Sequence, residues 1–259
     1  MIGRARQLNQ ALLNQFSPQR VVFHHVPKCG GTSVGRALRM RYLSSQATVK
    51  PEASFQAFKA FSGRTDTDQM MLDVNDLRKQ MLLYLMYDDV RCISTHVPFS
   101  HVAHTEFKGS YKFITLLRDP VSRFLSHYNW NRSRPGSHGH VSEDFDTFLA
   151  SRRAGMMGTE FVEIFADMPT DTDLKSPEAI DRAVHHLKQF DIVGRLDDLD
   201  GFVGDIRQTL GLRVRIGHRN KTSKSDNVVS RASLNQAQLA QVQAICAPDI
   251  EVWKRVFPT

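Results

Sequence analysis

Short apolar runs alternate along the chain with longer segments in which apolar residues recur every three or four positions. The runs at residues 20–26, 91–95, 111–117, 190–194 and 212–216 are rich in Val, Ile, Leu and Phe and bounded by turn or helix signals, which predicts strands. The helical periodicity falls at 33–42, 73–87, 120–130, 144–151, 176–189, 199–210 and 233–247. Strands alternating with helices predict a three-layer α/β fold, a central and mainly parallel sheet flanked by helices. Ligands of such sheets sit at the carboxyl ends of the strands, so the turns after Val26, Thr95 and Leu117 are expected to converge on one site. Residues 44–70 and 131–142 are polar, basic or Gly/Ser/Pro-bearing, and are expected to be surface excursions that form an acceptor-binding rim. No repeat at a fixed period divides the sequence, and one domain over residues 1–259 is expected.

The 259-residue length and 41% hydrophobic share allow a sizeable core. An excess of 34 Lys and Arg over 27 Asp and Glu gives a net charge of +7, which favours an anionic partner such as a nucleotide, polysaccharide, nucleic acid or membrane surface. The basic residues are spread out, so charge alone does not choose among these. No apolar stretch reaches the roughly 18 residues that a spanning helix needs. The first residues, MIGRARQLNQALLNQF, lack the apolar centre and cleavage site of a secretory signal. A cytoplasmic chain is therefore expected, with a lumenal domain separated from its anchor as the alternative. Cys29, Cys92 and Cys246 are too few and too scattered for a disulfide framework or zinc cluster. The eleven histidines come without an HExxH, CxxC or clustered carboxylate motif, so no metal is expected.

Residues 21–33, VVFHHVPKCGGTS, carry the most informative chemistry: a buried strand breaks into a turn that opens a helix. Gly30 and Gly31 let backbone N–H groups approach an anion closely, the helix N-terminus at Thr32 and Ser33 adds partial positive charge, and Lys28 adds a full one. The common nucleoside triphosphate loop, G-x-x-x-x-G-K-[ST], places Lys after the glycines and beside the hydroxyl that holds magnesium. Here Lys28 precedes them, which predicts a phosphate ligand bound without metal. Cys29 sits within the same turn, and is read as an incidental small residue in preference to a nucleophile with a lowered pKa.

In YKFITLLRDPVSRFLSHYNW, residues 111–130, a strand ends at Arg118 and a helix begins at Pro120. Asp119 is a favoured N-cap and Pro120 suits the first helical position, so Asp119 is read as a cap before it is read as a magnesium ligand. Arg118 offers a fork of donors suited to a phosphate, and Ser126 lies about two helical turns further on, within reach of the same group. An ion pair is the structural alternative for Arg118.

Taken together, VPKCGGTS and LLRDPVSRFLSHY resemble the sulfotransferases that use 3'-phosphoadenosine 5'-phosphosulfate (PAPS), most closely the carbohydrate enzymes of the heparan sulfate 2-O and 6-O type. The resemblance implies a P-loop-like fold in which Lys28, Cys29, Gly30, Gly31, Thr32 and Ser33 hold the 5'-phosphosulfate and Arg118 and Ser126 hold the 3'-phosphate. It is closest over residues 20–130. Further on, HRNKTSKSD resembles the variable half of the family, where Arg219 and Lys221 would close over the nucleotide.

The segment RCISTHVPFSHVAH, residues 91–104, is a strand that ends at His96, whose imidazole is expected to face the cleft with a pKa near neutrality. Similar segments in the heparan sulfate enzymes supply a catalytic base, which implies that role for His96. His101, His104, His24 and His25 are read as structural, although alternation along the first strand turns either His24 or His25 toward the cleft. The expected reaction is in-line transfer of a sulfuryl group to a hydroxyl of a carbohydrate or glycoconjugate, anionic acceptors included. In it His96 takes the hydroxyl proton, Lys28 stabilises the departing 3'-phosphoadenosine 5'-phosphate (PAP), and neither nucleic acid nor a membrane span takes part. Two rivals stand beside this reading: a P-loop kinase or NTPase, and a non-catalytic basic module that binds polyanions.

Overall fold

The computed structural model describes residues 19–137, 139–217 and 228–258. Five strands, β1 (Arg20–His24), β2 (Gln46–Ala47), β3 (Cys92–Thr95), β4 (Tyr111–Leu117) and β5 (Ile192–Arg195), form one parallel sheet in the order β2-β3-β1-β4-β5. The central β1 pairs with β3 on one side and β4 on the other, Val22 lying opposite both Ile93 and Phe113. The chain thus leaves β1 toward one sheet edge and returns to build the other. This reversal opens a crevice at the carboxyl ends of β1, β3 and β4.

Strand β1 is apolar on both faces because both are covered, as parallel sheets require. Val21 and Phe23 pack with Val34 and Leu38 of α1 (Gly31–Arg39) and with Phe202 and Ile206 of α10 (Leu199–Leu210). Val22 and Val26 face the opposite layer. It includes α3 (Thr67–Tyr87), α4 (His101–Phe107), α8 (Glu160–Phe165), α9 (Pro177–Leu187) and α12 (Ala247–Val256). A third cluster joins α5 (Pro120–Arg132), α6 (Phe145–Leu149), α7 (Arg152–Gly158) and α11 (Gln236–Ile245). Among the described residues no helix is long and apolar enough to cross a membrane.

Two stretches depart from the sequence-based expectation. Residues 212–216 form no strand, yet Leu212 and Val214 are buried between exposed neighbours. Their alternation is real, but it packs against the α1 and α10 layer without a sheet partner. Residues 44–70, expected as a surface excursion, hold β2, α2 (Pro51–Ser62) and the first turn of α3, and they bury Val49, Phe55 and Met70. Pro51 in the first turn of α2 and the left-handed Gly63 at its end delimit this helix. Its exposed positions mix Glu52, Gln56 and Lys59 with Ala53, Ala57, Ala60 and Phe61, so no clean apolar stripe marks it in the sequence.

Candidate functional site

A cavity of about 1030 Å³ lies at the carboxyl ends of β1, β3 and β4. Lys28, Gly30, Gly31, Thr32, Ser33, His96, Arg118 and Ser126 all line it, so the fold brings together sequence motifs that lie up to 98 positions apart. Cys29 does not. Its side chain is fully buried in the core and burial pushes the thiol up to about 12, which makes it inert at neutral pH and removes the nucleophile reading. Arg219 and Lys221 lie outside the described residues.

The turn that carries Lys28 is conformationally demanding. Lys28 has φ of 64° and Gly30 has φ of 78°, both left-handed, and between them the Cys29 N–H donates to the Val26 carbonyl at 3.4 Å. Glycine adopts this conformation freely and lysine does not. Gly30 is the N-cap of α1 and supplies no side-chain cap, so the helix end is open to an anion. Gly31 answers a different need. A Cβ there would lie 2.0 Å from Cδ2 of His25, so only glycine leaves room for that ring. His25 in turn packs against His96, with ring centroids 3.9 Å apart and planes tilted by 35°.

On the side of the cavity formed by the turn after β1 and by α5, three cations converge. Lys28 Nζ lies 3.9 Å from the centre of the Trp130 ring, and the Arg134 guanidinium lies 3.6 Å from it. Burial, then Arg118 and Arg134, lower the Lys28 amine to about 8. Arg118 Nη1 donates to the Lys28 carbonyl at 3.5 Å, which ties the second motif to the first. Among the described residues no carboxylate forms an ion pair with Lys28, Arg118 or Arg134. Neighbouring Asp119 is occupied as the cap of α5, accepting from the Ser122 N–H at 2.8 Å. Ser126, on α5, lines the same wall.

The opposite wall is built from the N-terminus of α2, from α3, from residues 96–98 after β3, and from α8. His96 belongs to it, but its pKa is not near neutrality: burial first, then Arg78, lower it to about 4. The imidazole is therefore neutral at pH 7, and its buried Nδ1 has no hydrogen-bond partner. Glu160 accepts from Arg123 Nη1 at 2.9 Å and lies 3.2 Å from His127 Nδ1. Burial alone would raise its carboxyl, but His127 and Arg123 together hold it below the usual range. Glu163 accepts from Asn75 Nδ2 at 3.2 Å, and burial, with Glu160 adding to it, pushes it up to about 7.

Sequence reasoning missed Trp130, Arg134, His127, Glu160, Glu163, Asn75 and Arg78. The first three lie within or beside segments already singled out. Glu160 and Glu163 had one faint signal, two acids three positions apart in the otherwise apolar TEFVEIF, while nothing in the sequence marked Asn75 and Arg78. Of the paired histidines, His25 faces the cavity and His24 is buried, stacked on Phe113 with its Nδ1 3.0 Å from the Val97 carbonyl. His104 is buried, whereas His101 is exposed on α4. Among the described residues no group of three His, Cys, Asp or Glu side chains is placed to hold a metal ion.

Residues 14–256 match the model of the sulfotransferase family. A search of solved structures returns the crystal structure of a sulfotransferase from Alicyclobacillus acidocaldarius, 18% identical, with a TM-score of 0.46. The match covers 91% of this chain and 94% of that one. A search of curated proteins returns no match.

Proposed function

Since the chain belongs to the sulfotransferase family, we propose that it moves a sulfuryl group from PAPS to a hydroxyl of a carbohydrate or glycoconjugate. One observation carries the donor assignment. Lys28, Arg118 and Arg134 converge on one cavity wall with no carboxylate paired to them among the described residues, beside an uncapped helix N-terminus. Cations held close together without counter-ions repel one another, and an anion with several charges relieves that cost. A nucleotide with phosphate at both its 3' and 5' positions fits the arrangement.

The donor supplies the sulfuryl group, and the protein's part is to orient and to stabilise charge. Gly30, Gly31, Thr32 and Ser33 present the open end of α1 to the 5'-phosphate, and Arg118 and Ser126 hold the 3'-phosphate. Lys28 stands where negative charge develops on the departing oxygen. Its lowered pKa leaves it protonated at pH 7, and bound phosphate would raise that value. His96, packed against His25, offers a neutral imidazole nitrogen to the hydroxyl proton, and the charge that results is favoured by Glu160.

Binding of PAP tests the donor site. At a hundredfold excess over its dissociation constant, PAP should raise Tm by roughly 5–10 °C. The shift should vanish in Arg118→Ala. Absence of a shift in the native chain would refute the donor assignment.

A further inference from the structure

The two cavity walls differ in charge. The wall formed by α3 and α8 carries Glu160 and Glu163, joined by Glu52 of α2. Its arginine, Arg78, is already engaged by the protein: Nε donates to Ser54 Oγ at 2.9 Å, Nη1 to Asn75 Oδ1 at 3.1 Å and Nη2 to the Pro51 carbonyl at 3.2 Å. Each of the three guanidinium nitrogens thus gives one N–H to the protein, which fixes Arg78 in the wall. Glu160 is paired with Arg123 and lies beside His127. Glu163 has the Asn75 amide. On the same wall the buried Nδ1 of His96 lacks a partner, so it and the Glu163 carboxylate, held by that one amide, are left for a ligand. Met71, Pro98 and Ile164 add apolar surface beside them.

We propose that this wall is an acceptor subsite for a hydroxyl compound that carries a protonated amine, with Glu163 as the group that recognises the amine. The inference rests on the sulfuryl-transfer reading for the hydroxyl and on the wall itself for the amine. Among the described residues no cation forms an ion pair with Glu163, on which Arg78 acts only at longer range, so an ammonium beside it supplies a direct counter-charge and favours its ionised form, which burial otherwise resists. A carboxylated or sulfated acceptor meets three carboxylates, Glu52, Glu160 and Glu163, against Arg78 as the one arginine that lines this wall among the described residues. The subsite therefore discriminates against the polyanionic acceptors that the overall charge suggests.

The test uses glucosamine oligosaccharides of one length with the amine free, N-acetylated or N-succinylated, each assayed for labelled sulfate transfer from PAPS. The free amine should be preferred at least tenfold in kcat/KM over the N-acetylated form, and the succinylated form should be the poorest. Glu163→Gln should bring the preference for the free amine close to one, and Glu163→Asp should restore part of it. Equal or better use of the acetylated or succinylated oligosaccharide by the native chain would overturn the proposal, as would a preference that survives Glu163→Gln. If no oligosaccharide accepts sulfate, calorimetric titration of the free amine into the PAP-saturated protein decides. Binding that Glu163→Gln weakens tenfold sustains the subsite, and no binding refutes it. The PAP-induced Tm shift reports separately on the donor reading, so either claim can fail while the other stands.

Discussion

Lys28 combines two features that ordinarily conflict: a long charged side chain and a left-handed backbone with φ of 64°. For a residue with a Cβ that conformation costs roughly 1–2 kcal/mol, so the turn retains it against a local penalty. Lys28→Gly removes the amine and the strain together, whereas Lys28→Ala removes only the amine. Both variants should lose on the order of 100-fold or more in kcat, as when a charge-stabilising group is deleted from a transition state. In chemical denaturation Lys28→Gly should be about 1 kcal/mol more stable than Lys28→Ala. Equal stabilities would show that the turn relaxes without cost, and retained turnover in either variant would remove Lys28 from the reaction. The amine was legible in the sequence because its displacement from the usual loop order is a matter of spacing. Its seat on Trp130 was not, since α5 must first fold to bring that ring 102 positions back along the chain.

At the scale of elements, the strand, turn and helix from β1 to α1 follow their sequence signals closely, and so do β4 and α5, where Asp119 caps and Pro120 starts the helix. These segments were legible because local chemistry sets their boundaries: left-handed turn positions, a cap, a proline. The wall from α3 and α8 was not, because it depends on packing between segments nearly 90 residues apart, as in the contact between Asn75 and Glu163. The extended residues 212–216 show the reverse case, a true alternation that lacks a ladder partner. Gly31→Ala tests the junction of β1 and α1. The new methyl displaces the His25 ring and with it the contact to His96. Turnover should fall by about 10-fold or more, a modest loss beside the 10²–10⁴-fold range of proton-transfer catalysis. Circular dichroism should remain native, because alanine favours a helix more than glycine does. Undiminished turnover would show that the contact between the two histidines is dispensable.

Over the whole molecule, the sheet places a cationic wall and a carboxylate-bearing wall on either side of one crevice, a polarity that net charge conceals. The core carries a further consequence. His24 is buried among Phe99, Phe113 and Phe190, and burial lowers its pKa from 6.5 to about 4. The unfolded chain takes up this proton near pH 6.5, while the folded chain resists until about pH 4. Stability is therefore intact above pH 6.5 and declines as pH falls through that window, by roughly 3 kcal/mol from this residue. His24→Phe should lose correspondingly less stability between pH 6.5 and 4 in urea titrations. An unchanged acid profile would assign that loss to other groups. The central claim is sulfuryl transfer at the crevice that Lys28 and Arg118 share, and labelled-sulfate transfer from PAPS to a panel of carbohydrate acceptors, with EDTA present and products identified by mass spectrometry, tests it most directly. The account predicts a sulfated hydroxyl whose formation is undiminished by EDTA and falls at least 100-fold in Lys28→Gly. Magnesium-dependent ATP turnover with no sulfated product would contradict it.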